Sequence, residues 1–178
     1  MIPEEKSMIV RTLRTIGVKK NQTILDFGCG IGTFSIPAAE ISGSAGIVYS
    51  VDRDESKLKF LKAECKRQNI NNCVTLNNSD WQGLRFPNDT FDFILLYDVL
   101  HSYYFKDSRE RVSLLHEVKR VAKNACIISI YPKHMKISTI IQEFNNMGIS
   151  LIDSYLVDIL HYGQYEYDYV YNFGYVQS

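Results

Sequence analysis

The residues best suited to chemistry lie in one short run, "TILDFGCGIGTF", where Asp26 precedes Gly28, Cys29, Gly30 and Gly32. Glycine weakens the interior of a strand or helix, so three at alternate positions mark a turn whose backbone something approaches closely. A second carboxylate, Asp52, ends the apolar run "GIVYSVD", about 20 residues beyond Gly32. An acid at that separation can accept both hydroxyls of a ribose. Dinucleotide-binding turns read GxGxxG and seat a pyrophosphate on a helix N-terminus. Here the third glycine comes one residue early, position 33 is Thr, and Asp26 would repel a diphosphate.

The pattern therefore asks for a ribose, a close backbone approach and a positive group beside Asp26. S-adenosylmethionine offers all three through its adenosyl group, sulfonium and α-amino group; NAD does not. The adenine would extend towards a third strand, where "NNSDWQGLRF" places Asp80 beside Trp81. A carboxylate accepts from the adenine amine, and an indole packs on the ring. At the reactive end, the run after the fourth strand offers Tyr97, Asp98, His101, Tyr103 and Tyr104. His101 is the candidate general base or acceptor-orienting group; the alternative is a histidine that satisfies a helix end or loop carbonyl. Tyr103 and Tyr104 either wall an aromatic acceptor or simply pack. Lys133, His134 and Lys136 either meet an anionic acceptor or form a solvated loop.

These residues need elements to hold them. The pattern predicts a helix over 4–16, a strand at Thr23–Phe27 and a helix from Thr33 to Ile41, then a strand at Gly46–Asp52 and a helix from Asp54 to Gln68. "NCVTLNN" is a third strand, and "FDFILLYDVL" a fourth, apolar enough to be buried on both faces. A helix over 107–121, a fifth strand "ACIISIY" and a helix over 135–147 continue the alternation. Such alternation predicts an α/β fold with a doubly wound, mostly parallel sheet and helices on both faces. "ISLIDSYLVDIL" and "QYEYDYVYNFGY" lie too close for a crossover helix, so they form an antiparallel C-terminal hairpin. In the last strand Tyr165, Tyr167, Tyr169, Tyr171 and Phe173 share one face, expected to be covered by a helix.

The chain has 178 residues, 46 % hydrophobic, which suits a single domain over 1–178 with residues 1–18 as a helical cap. Lys+Arg and Asp+Glu balance at 20 each, so the broad basic field of a nucleic-acid binder is absent. No run is long and apolar enough to insert in a membrane, and the start, "MIPEEKSMIV", lacks a secretory pattern. The expected setting is cytoplasmic. Cys29, Cys65, Cys73 and Cys126 are scattered, and no histidine stands at ligand spacing, so reduced thiols and no metal site are expected.

Four stretches, "ILDFGCGIGTFSIPAA", "VYSVDRDESKLKFLK", "NSDWQGLRFPNDTFDFILLYDVLHSY" and "LLHEVKRVAKNACIIS", resemble the successive motifs of class I S-adenosylmethionine-dependent methyltransferases. The likeness is to the small-molecule branch with the ubiquinone and menaquinone enzymes. It implies a Rossmann-like seven-stranded sheet and methyl transfer to a small-molecule acceptor. It also implies cofactor contacts from Asp26, Gly28, Cys29, Gly30, Gly32, Asp52, Arg53, Asp80, Trp81 and Tyr97, with Tyr97 near the sulfonium. The family often has a histidine pair after the fourth strand; here His101 is followed by Ser102. Its Lys-Pro-Gly-Gly turn has become Lys123-Asn124-Ala125-Cys126, an altered surface turn. With no long insertion to act as a lid, the acceptor site is expected to be open, covered by residues 1–18, the 101–106 loop or a second subunit of a homodimer. A non-catalytic S-adenosylmethionine-binding module of the same fold is the alternative.

Overall fold

The computed structural model describes residues 3–78, 83–105, 107–161 and 163–175. Asp80 and Trp81, the residues expected at adenine, lie outside the described residues. The chain runs α1 (Pro3–Thr15), β1 (Thr23–Phe27), α2 (Ser35–Ser42), β2 (Ile47–Asp52), α3 (Glu55–Arg67) and β3 (Cys73–Asn77). It continues through β4 (Phe91–Tyr97), α4 (Ser108–Val121), β5 (Ala122–Tyr131), α5 (Ile137–Asn145), β6 (Ile149–His161) and β7 (Gln164–Tyr175).

The strands form a seven-stranded sheet in the order β3-β2-β1-β4-β5-β7-β6. All neighbours pair in parallel except β7, which is antiparallel to both β5 and β6. The expected doubly wound sheet with an antiparallel C-terminal hairpin is thus what forms. β4 shows why its sequence is almost continuously apolar. Ile94 and Leu96 join the core under α4 and α5, while Phe93 and Leu95 join the opposite core under α1 and α2. Each strand residue is buried whichever way it points.

Helix starts follow local chemistry. Asp54 accepts from the Ser56 and Lys57 amides to cap α3, and Asp107 accepts from the Arg109 and Glu110 amides to cap α4. Helix α1 is tied across the sheet. The Thr12 hydroxyl donates to the Asp158 carbonyl at 2.6 Å, and Asn172 Nδ2 donates to the Ile16 carbonyl at 2.7 Å. Glu5, near the start of α1, thereby reaches the cleft described below.

One expectation needs correction. The tyrosine stripe alternates as expected, but a helix covers only its end. Phe173 is buried against Phe144 of α5, whereas Tyr165, Tyr167 and Tyr169 are 46, 68 and 45 % exposed. Helix α5 is short, and the hairpin extends beyond it. The Lys123–Cys126 segment keeps the expected surface excursion: it bulges out of the ladder between the pairs Phe91–Ala122 and Phe93–Ile127, with Asn124 and Ala125 exposed and Cys126 turned into the core.

Candidate active site

In a sheet of this kind the strand order reverses between β1 and β4, and the loops after their carboxyl ends bound a crevice. The glycine turn follows β1 there. A Cβ on Gly28 would stand 2.1 Å from Val99 Cγ1, and one on Gly32 would stand 2.2 Å from Leu61 Cδ1. At these two positions the close approach is by the protein's own core. Gly30 differs: a Cβ there would meet nothing within 4 Å. Its amide donates to Asp52 Oδ2 at 2.8 Å, while the Asp54 amide donates to Oδ1 at 2.9 Å.

Asp26 lies beneath the turn, 3 % exposed, and accepts from the Ser35 hydroxyl at 2.5 Å. Burial drives its pKa up to about 7; the Ser35 bond opposes the rise and the Asp52 charge adds to it. Burial, followed by the charges of Asp26 and Asp52, also pushes the Cys29 thiol far up, so it stays protonated.

Asp26, Gly30, Asp52, Tyr97, Asp98 and His161 all line one cleft of about 1130 Å³. Its mouth is open: Ile31, Phe60 and Tyr103 on the wall are 50, 54 and 78 % exposed. The Arg53 guanidinium sits 4.9 Å from the centre of the Tyr104 ring, linking the turn after β2 to the loop after β4 across that mouth. Tyr97 is packed edge-on against Phe34 and its hydroxyl pairs with Ser129 Oγ at 3.2 Å. Burial holds its pKa well above the usual phenol value, so Tyr97 offers the cleft a ring and not a base.

The histidines are arranged differently from the expectation. His101 is not among the residues lining the cleft. Its Nδ1 accepts from the Tyr103 amide at 3.2 Å, which leaves the proton of the neutral ring on Nε2, 3.6 Å from Asp98 Oδ1. Burial lowers its pKa. His161, which the sequence reading passed over, does line the cleft, and its Nε2 lies 2.8 Å from Asp98 Oδ2. His134 Nε2 lies 3.9 Å from Asp98 Oδ1. Three of the chain's four histidines therefore surround one carboxylate, although none stands at ligand spacing in sequence. The expectation of no metal site rested on local spacing, whereas Asp98, His134 and His161 are brought together by folding. Lys133 is not free to meet an anionic acceptor, because it is paired with Glu166 and lies 3.8 Å from Asp168.

Comparison with known proteins agrees with this geometry. Residues 18–169 match the family model described as "Methyltransferase domain". A demethylmenaquinone methyltransferase of Anoxybacillus flavithermus is 30 % identical over 112 residues, 63 % of this chain and 45 % of that protein. This chain thus spans about half the length of that relative. Among solved structures, a SAM-dependent methyltransferase from Aquifex aeolicus superposes with a TM-score of 0.77 at 20 % identity, covering 97 % of this chain and 93 % of that one. The magnesium protoporphyrin IX methyltransferase of Synechocystis, solved with bound SAM, gives 0.69 at 19 % identity, covering 97 and 78 %. Family match, strand order and glycine turn agree, and the chain belongs to the methyltransferase-domain family.

Proposed function

We propose that this chain transfers the methyl group of S-adenosylmethionine to a small organic acceptor. One observation carries the reading: two carboxylates, Asp52 at the rim and Asp26 buried below, flank a glycine turn that lines the cleft and has, of its three glycines, open space for a Cβ at Gly30 alone. Each Asp52 oxygen takes one backbone N–H and keeps lone-pair capacity for a ribose hydroxyl. Asp26 is a carboxyl that a ligand ammonium would ionise, and a diphosphate has no such use for it. Gly28, Cys29 and Gly32 shape the turn, and Arg53 closes the side towards adenine.

When bound, the sulfonium supplies an electrophilic methyl group, and the protein's part is to align the acceptor with it. Tyr97 and Phe34 form an apolar wall there, while Tyr103, Tyr104 and Tyr131 enclose the acceptor end. Asp98 and His161 give that end its polar groups. Aromatic walls with a few polar groups suit a flat, hydroxylated ring, and the name of the Anoxybacillus relative supports a quinone-type acceptor.

Titration calorimetry tests the cofactor. S-adenosylmethionine and S-adenosylhomocysteine should each bind one to one, with no heat from NAD. Binding of NAD but of neither sulfur compound would overturn the reading. Release of S-adenosylhomocysteine with a demethylated naphthoquinol then tests catalysis.

A further inference from the structure

Asp98, His134 and His161 come from the carboxyl ends of β4, β5 and β6, which lie along one edge of the sheet. One Asp98 oxygen and one ring nitrogen from each histidine lie within 4.8 Å of one another. We propose that these three residues hold a divalent transition-metal ion at the acceptor end of the cleft, with zinc the best fit to two imidazoles and one carboxylate.

The ligand chemistry supports this. Two histidines and a carboxylate form a frequent catalytic zinc set, and such sites keep a fourth position for water or substrate. A tetrahedral ion with bonds near 2.1 Å holds its ligand atoms roughly 3.4 Å apart. His161 Nε2 and Asp98 Oδ2 are closer than that, at 2.8 Å, and His134 is farther out, at 3.9 Å from Asp98 Oδ1. His134 stands on an exposed turn after β5, where a shift of about an ångström suffices.

The surroundings support it independently. Asp98 Oδ1 is buried and makes no hydrogen bond, with His101 Nε2 at 3.6 Å and His134 Nε2 at 3.9 Å both beyond bonding distance, a costly state that a cation would relieve. Asp98 also adopts φ +52°, held by its amide donating to the Tyr131 carbonyl at 2.9 Å. Left-handed backbone at a non-glycine residue beside a cleft is strain of the kind that positions functional groups. Behind His161, Glu166 Oε1 lies 3.5 Å from Nδ1, and Glu166 Oε2 accepts from the Tyr131 hydroxyl at 2.8 Å. Carboxylates so placed fix the tautomer of a metal-bound histidine. For Nε2 to ligate the ion, the neutral ring carries its one proton on Nδ1, on the side of Glu166 Oε1. Because Asp98 and His161 both line the cleft, an ion they hold would stand at its wall, where it can polarise an acceptor oxygen.

The test uses EDTA-treated, reduced full chain titrated with zinc chloride and with cobalt chloride, and needs no methyl donor. The expected result is one equivalent of each metal, with cobalt absorption showing nitrogen and oxygen ligands and no thiolate charge-transfer band. His134→Ala and His161→Ala should each weaken zinc binding at least tenfold; His116→Ala, altering the exposed histidine of α4, should leave it unchanged. His134 is on the surface, so its variant keeps the test valid if His161→Ala does not fold. No saturable site, a thiolate band, or unchanged binding by His134→Ala would overturn the proposal. S-adenosylmethionine binding by the metal-free protein is read separately and bears only on the proposed methyl transfer.

Discussion

Gly30 donates its amide to Asp52 Oδ2 at 2.8 Å, fastening the glycine turn to the end of β2 through a carboxylate also proposed to bind ribose. Removing that carboxylate takes away ligand acceptors and loosens the turn together. Asp52→Ala should weaken S-adenosylmethionine binding by roughly a hundredfold, the equivalent of about two charge-assisted hydrogen bonds. Asp52→Asn, with one acceptor oxygen left, should fall between. Calorimetry checks both; wild-type affinity in Asp52→Ala would remove Asp52 from the site.

With Asp26 at the proposed cofactor site, ligand affinity should depend on pH. Its native pKa is raised from 3.8 to about 7, so between those values the folded protein holds a proton that the unfolded chain has lost. The stability of the ligand-free protein from this group therefore falls as pH rises through that window and levels off above it. A bound ammonium reverses the preference. Affinity for S-adenosylmethionine should weaken as pH drops below about 7, and binding near pH 6 should release a proton. Calorimetry in buffers of different ionisation enthalpy measures that proton, and Asp26→Asn should abolish the release.

The glycines separate folding from binding. Gly28→Ala drives a methyl group into Val99 at a backbone angle of φ +77°. Overpacking and the left-handed penalty together give a loss of about 2–5 kcal/mol. Gly30→Ala meets nothing and should lose only about 1–2 kcal/mol, yet its methyl group would stand at the turn lining the cleft, where the ligand is proposed to bind. Urea unfolding and ligand titration on the two variants should give opposite rankings.

The acceptor end should be separable from the cofactor end. His161 lines the cleft beside Asp98, whereas His101 stands behind that carboxylate with its Nδ1 engaged by the Tyr103 amide. His161→Ala should leave S-adenosylmethionine affinity within about twofold of wild type and lower turnover of a naphthoquinol acceptor at least tenfold. His101→Ala should lower turnover less. Equal losses would put both rings in contact with the acceptor.

What could be read in the sequence was whatever is encoded locally. Strand-helix alternation and the "FDFILLYDVL" run specify the parallel sheet, and the glycine spacing locates the turn, because each depends on residues adjacent in the chain. The reasons for individual glycines were hidden, since Val99 and Leu61 come from distant segments. His161 and Asp98 are 63 residues apart and meet only because β6 runs parallel to β4 at the same sheet edge. Lys133, His134 and Lys136 looked alike as a basic cluster, but folding gives Lys133 to Glu166 and turns His134 towards Asp98. Alternation in β7 fixed which side chains share a face, not how far α5 reaches over them.

That limit of α5 is measurable. Phe173 is fully buried and stacks on Phe144 with ring centres 4.8 Å apart. Phe173→Ala should therefore lower stability by about 3–5 kcal/mol, the range for losing a buried aromatic ring. Tyr167 occupies the same face of β7 but is 68 % exposed. Tyr167→Ser should change stability by no more than about 0.5 kcal/mol. Urea unfolding of both variants decides the point: comparable losses would mean that something covers the tyrosine face along its whole length, as the alternation alone had implied.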